Sequence, residues 1–204
     1  MQQYIATWHP TLPVMKEIDM SFFKLLLSFA PWISFLIIAS GHSMVRLKVG
    51  IVVAALLVVA TGIAKLNRGV ILWASAAFFL YALVAVVWKT NLWSIEHMGI
   101  LANGTLAAGT WFTVAIRKPF TLEYAREHTS PSVWNSPLFI RTNYILTCVW
   151  GVAFLGSVLN AWIQMNHPDA PKWMFAVAQY SCMLGAMFIT TWYPKHVARI
   201  AHRS

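Results

Sequence analysis

Charge is what this chain has least of. Lys, Arg, Asp and Glu together make up 10% of its 204 residues, against roughly 25% in an ordinary soluble domain. They sit almost entirely in short gaps between apolar stretches, so a water-soluble fold with an ordinary charged surface is excluded. Cysteine is nearly absent as well. Cys148 and Cys182 are the only two, and their spacing fits neither a zinc site nor a C-x-x-C redox pair. No tract of Gly, Ser or Pro is long enough to act as a linker, which leaves room for one compact domain. Also missing are G-x-S-x-G, H-E-x-x-H and paired-carboxylate signatures, so no reaction can be named from a motif.

Apolar sequence is what fills the chain: 59% of residues are hydrophobic and the mean hydropathy is +0.63. Six stretches carry it, residues 22–40, 49–63, 69–88, 92–116, 138–163 and 173–193. A bilayer core about 30 Å thick needs about 20 helical residues, and unsatisfied backbone in lipid is costly, so helices are the expected spanning form. The runs are continuous and do not alternate with polar residues as barrel strands do. The predicted fold class is therefore all-α, a polytopic integral membrane bundle of about six helices spanning 22–193. Residues 1–21 precede it, 117–137 form its longest loop, and 194–204 make a basic tail. The second stretch is the shortest, because Lys48 and Lys65 bracket 16 residues; lysine snorkelling or extension back through Met44 makes up the difference. The first stretch is too long for a signal-peptide core, has no clean A-x-A site and is followed by five more, so an uncleaved anchor is expected, with Pro31 as an accommodated kink.

Basic residues orient the bundle. One side receives eleven, from Lys16, Lys24, Lys65 and Arg68 through Arg117, Lys118, Arg126 and Arg141 to Lys195, Arg199 and Arg203. The other receives four, Arg46, Lys48, Lys89 and Lys172. The positive-inside rule then places both termini in the cytoplasm. The same asymmetry accounts for the formal net charge of +9. Anionic headgroups are its simpler partner, and no nucleic-acid partner is expected, since there is no basic, aromatic-interleaved soluble domain. Trp88, Trp93, Trp162 and Trp173 flank the outer loops as interfacial anchors, whereas Trp73, Trp111 and Trp150 fall within spans and read as packing residues. Small residues gather where helices would approach closely, Gly99, Asn103, Gly104, Ala108 and Gly109 in the fourth stretch and Ser181 and Gly185 in the sixth; Gly104 with Ala108, and Ser181 with Gly185, have small-xxx-small spacing. Cys148 and Cys182 both lie near mid-membrane, close enough in depth to touch; the plain reading is two small apolar residues in helix contacts.

Ionisable groups within a span often mark proton or substrate paths. Glu96 and His97, near the outer end of the fourth stretch, are the sharpest candidates, and Asn103 lies deeper and should seek a partner across a helix interface. His42, His167 and Asp169 would face the same side and are weak candidates for a metal or proton site. The bland alternative is a carboxylate at headgroup level beside ordinary solvated loops. No cofactor is expected, and haem is disfavoured because His97 is the only histidine within a stretch.

The most patterned segment is RKPFTLEYAREHTSPSVWNSPLFIRTN, from Arg117 to Asn143. Pro119 ends a span, residues 121–128 can form a short surface helix with Phe120 and Leu122 against lipid, and Arg117, Lys118 and Arg126 would meet phosphates. Pro131 breaks that helix and Trp134 re-enters the interface. Arg117, Lys118 and Pro119, then Pro131, Val133 and Trp134, then Arg141, Asn143, Trp150, Phe154 and Asn160 form a pattern that resembles the intracellular septation protein A family over the second half of the chain. The resemblance implies a non-catalytic bacterial inner-membrane protein connected with cell division and envelope upkeep, with division or envelope proteins as partners; the 117–143 region reads from its own residues as a lipid-anchored loop first and a partner-docking surface second. A small transporter or proton-linked carrier working through Glu96 and His97 is the alternative reading; a membrane redox subunit or lipid enzyme ranks below it.

Overall fold

The computed structural model describes residues 27–39, 43–66, 69–127 and 129–201. The expected N-terminal segment 1–21 and His42 lie outside these. Among the described residues the regular structure is entirely helical. The elements are α1 (Ala30–Ile38), α2 (Met44–Ile63), α3 (Gly69–Ala82), a π-helical turn (Leu83–Trp88), α4 (Leu92–Glu96), α5 (Met98–Ala115), α6 (Phe120–Arg126), a 3-10 turn (Pro131–Val133), α7 (Pro137–Asn166) and α8 (Lys172–Ala201).

Four of these helices are long and apolar enough to cross a membrane: Met44–Ile63, Gly69–Trp88, Pro137–Asn166 and Lys172–Ile200. A fifth is added if α5 and α6, bent by 77°, count as one broken span. The short second stretch does extend back to Met44. There Ser43 caps α2 by accepting from Arg46 N, while Lys48 Nζ reaches Thr90 Oγ1 at 2.9 Å. The expected 92–116 span is not one helix, because it breaks at His97 (φ −92°, ψ 10°) into α4 and α5. The last helix runs on past residue 193, through Pro194, to Ala201, so most of the stretch drawn as a tail is helical.

Aromatic side chains hold the centre. Phe29, Trp32 and Phe35 recur at three-residue spacing, which puts them on one face of the helical segment around α1. Trp32 lies 5.0 Å from Phe78 and 4.9 Å from Phe79 of α3, and Phe29 stacks on Trp150 of α7 at 5.6 Å. Such pairs add about 0.5–1.5 kcal/mol each beyond area burial, which helps keep a nine-residue helix in the bundle. The Trp32 indole N–H donates to Ser75 Oγ at 2.8 Å, removing its desolvation cost. Pro31 occupies the first turn of α1, where its missing N–H is harmless, so the expected mid-helix kink is replaced by an initiation signal.

Helix α5 is the central strut: it packs against α3 on one side and α7 on the other, and α8 packs chiefly on α7. Close approach uses Gly99 and Gly109, two of the small residues expected there, and Gly151, but not the glycines of the small-xxx-small pairs. A Cβ on Gly99 would meet Ala161 at 3.2 Å, one on Gly109 would meet Ala74 at 3.3 Å, and one on Gly151 would meet the Trp111 ring at 2.8 Å. Gly104 and Gly185 face open space instead. Trp111 and Trp150 are packing residues as expected, but Trp73 is 74% exposed and points outward. Cys182 Sγ sits beside Gly156, two helical turns from Cys148, so the two free thiols do not meet. Along α8, Trp173, Val177, Tyr180, Leu184, Phe188 and Trp192 form one exposed apolar stripe, the pattern of a lipid-facing helix.

Candidate functional site

Candidate residues fall at the two opposite ends of the bundle. At one end, Asn91 caps α4 by accepting from Ser94 N at 3.0 Å, and Tyr81 bonds to Ser94 Oγ at 2.8 Å, so α4 is anchored to α3. Helix α4 lasts five residues because His97 leaves helical geometry, and its imidazole folds back on the preceding turn. The ring stacks on Trp93 at 4.4 Å and its Nδ1 lies 2.8 Å from Trp93 O. Glu96 and His97, adjacent in sequence, are therefore separated in space: His97 is spent on Trp93, and Glu96 faces a cavity.

That cavity, about 570 Å³, lies among α1, α2, the α4–α5 break and α7. Phe35, Leu47 and Ile100 contribute to its walls together with three methionines, Met44, Met98 and Met165; Glu96 and Gln164 are its main polar groups. Among the described residues Glu96 is its one acidic or basic lining residue. The two basic residues of α2 are directed elsewhere, Arg46 Nε to Ile38 O at 3.1 Å and Lys48 Nζ to Thr90 and Val87 O. His167 and Asp169 are exposed after α7. Among the described residues no three His, Cys, Asp or Glu side chains come together as a metal-holding group, so His167, Asp169, Glu96 and His97 are not assembled into one.

Asn103 does find its partner across a helix interface. Its Nδ2 donates to Gly99 O at 2.9 Å, and its Oδ1 accepts from Gln179 Nε2 of α8 at 3.5 Å. Asn160 of α7 donates to Phe175 O of α8 at 3.0 Å. These carboxamides, with Trp150 Nε1 donating to Thr190 Oγ1 at 3.0 Å, tie α8 to its neighbours. In an apolar slab, where packing alone drives helix association weakly, such bonds contribute about 0.6–2 kcal/mol each.

At the other end, α5 closes with a Schellman pattern, Lys118 N donating to Thr113 O and Arg117 N to Val114 O, with Arg117 at φ 57°. Pro119 then redirects the chain into α6. The expected lipid contact of Phe120 and Leu122 is overturned: Phe120 is 1% and Leu122 9% exposed. The reason is a slot between α3 and α7 that offers Phe29, at 6.5 Å, as a ring partner for Phe120. Hydroxyl groups lock the slot. Thr121 Oγ1 donates to Asn143 O at 2.8 Å and lies 2.9 Å from Thr147 Oγ1, while Phe120 N donates to Thr113 Oγ1. Asn143 Nδ2 in turn donates to its own helix at Phe139 O. Glu123 lies against Gly69, the first residue of α3, where φ is 61° and a side chain would collide with its carboxylate.

What α6 turns outward is polar. Arg117, Lys118, Glu123, Glu127, Ser130, Pro131, Ser132, Asn135 and Arg141 are exposed. The Arg126 guanidinium sits 5.6 Å above the Trp134 ring, whose Nε1 donates to Thr129 O at 3.0 Å, and Ser136 then caps α7. Arg126 is thus partly covered rather than freely presented, while Pro131 starts the 3-10 turn.

Sequence reasoning singled out Glu96, Arg117, Lys118 and Arg141, all of which are exposed, but it missed the threonines. Thr113, Thr121 and Thr147 carry no charge and match no motif; their signal is that hydroxyls spaced around a proline-marked bend can bond the backbone the bend releases. It also missed the methionine walls of the cavity, which come from three separate helices. No family model matches this chain, and comparison with curated proteins and with solved structures gave no match.

Proposed function

We propose that this is a non-catalytic, six-pass protein of the bacterial inner membrane, with both termini in the cytoplasm, that serves as a scaffold in cell division or envelope maintenance. Its docking surface is the platform built from α6 and the Pro131–Trp134 turn. The observation that supports this reading is the way α6 is held. A loop of this length has no need of a buried phenylalanine and a hydroxyl lock unless its outer face must keep one shape, and a fixed, charged, solvent-facing surface is what a partner protein or anionic headgroup can recognise. The resemblance of Arg117–Pro119, Pro131–Trp134 and Asn143 to the septation protein A pattern points the same way.

Two measurements test it. Orientation is read by membrane-impermeant maleimide on intact cells, with Cys148 and Cys182 replaced by alanine: Asp169→Cys should label and Ser132→Cys should label only after lysis. Role is read by deletion and complementation. Loss of the gene should alter cell shape or envelope integrity, and a variant with Arg117, Lys118 and Arg141 all changed to glutamine should fail to restore it while still reaching the membrane. Normal morphology on deletion overturns the scaffold. The cavity beside Glu96 favours a second reading, a small carrier, for which solute flux in proteoliposomes should collapse in Glu96→Gln.

A further inference from the structure

We infer that the cavity at the Glu96 end is a binding site for an amphiphile with an apolar body and a single cationic head, such as an ammonium or phosphonium group. The site stands apart from the docking platform, at the opposite end of the bundle, and it names the ligand class for the carrier reading. Three features of the cavity carry it. Its volume of about 570 Å³ falls within the roughly 300–1,000 Å³ of small-molecule sites. Its walls are more apolar than polar and include Met44, Met98 and Met165, from three different helices; unbranched thioether side chains reshape themselves around varied bodies and make favourable contacts with aromatic rings.

Its charge is one-sided. Among the described residues Glu96 is the only acidic or basic side chain lining it, Gln164 adds a carboxamide, and Arg46 and Lys48 bond outside it. An anionic head would meet an uncompensated carboxylate, and a neutral one would leave that carboxylate without a counter-charge. A cation is favoured on both counts, and more so at the edge of a low-dielectric slab than in bulk water. Chelation of a metal ion is disfavoured, since among the described residues no group of three His, Cys, Asp or Glu side chains is available. The helix break at His97 falls directly beside Glu96, at the wall of the cavity.

The test uses the full chain in a nonionic detergent and radiolabelled tetraphenylphosphonium, with equilibrium binding as the readout. The expected result is saturable binding at one site, about fivefold weaker in Glu96→Gln, lost in Met165→Trp, which fills the mouth from an already half-exposed position, and unchanged in Asp169→Asn, which removes a carboxylate at the same end. No saturable binding by the unaltered protein, or equal binding by Glu96→Gln, overturns the proposal. Added phosphatidylethanolamine, whose ammonium shares its head with a phosphate, tests the charge rule: no displacement of the probe is expected, and displacement would overturn the preference for a single cationic head. Binding without flux in proteoliposomes keeps the site and removes the carrier.

Discussion

The two ends of this bundle are made of similar sequence and end differently. Each has a helix interrupted near a span boundary, an ionisable residue beside the interruption and aromatic residues nearby. At the α6 end the interruption is filled, since Phe120 and Leu122 enter the slot between α3 and α7, and Thr113, Thr121 and Thr147 satisfy the backbone around them. At the Glu96 end the interruption stays open, and a cavity of about 570 Å³ takes the place of a packed side chain. Whether a broken helix makes a structural joint or a binding site depends on what its neighbours offer to fill the gap.

The contrast can be broken by substitution. Phe120→Ala deletes a ring that is 1% exposed, and it should cost about 3 kcal/mol, read as a large drop in thermal unfolding temperature in detergent; a loss below about 1 kcal/mol would mean that α6 is not seated. Gly151→Ala acts between the ends. The new methyl lies 2.8 Å from the Trp111 ring, and the ring must shift within a packed interface, for an expected loss of about 2 kcal/mol in the same assay. Thr121→Val keeps the shape and removes the hydroxyl lock, which should cost about 1 kcal/mol through the two lost bonds, to Asn143 O and to the Thr147 hydroxyl. Glu96→Gln and Met165→Ala should each change stability by no more than about 0.5 kcal/mol, because the open end holds nothing in place. A stability loss at Glu96 matching that at Thr121 would erase the distinction.

Much of the architecture was legible because lipid makes hydrophobic length a direct signal. Spans near 44–63, 69–88, 137–166 and 172–200 follow from apolar runs and bracketing charges. Interfacial tryptophans were legible for the same reason: Trp88, Trp93, Trp162 and Trp173 are all exposed near helix ends. Positions that depend on neighbours were not. Gly104 has the spacing of a contact glycine yet faces open space, whereas Gly151, with no such pairing, receives Trp111. Spacing describes one helix, and contact requires two. Phe120 and Leu122 on a short loop helix fit a lipid surface as well as a protein slot, since both are apolar; only the position of α3 and α7 decides between them. The cavity was half legible. Glu96 stood out as a charge within a span, but its methionine walls come from distant parts of the chain.

The account rests most heavily on α6 being a fixed part of the bundle and not a loop lying on a surface. Hydrogen–deuterium exchange of the full chain in lipid nanodiscs tests this directly. Amides of Phe120–Arg126 should exchange nearly as slowly as those of the adjacent α7 segment Thr142–Trp150, and clearly more slowly than those of residues 129–135. Exchange across α6 as fast as in residues 129–135 would contradict the seated platform and, with it, the docking surface.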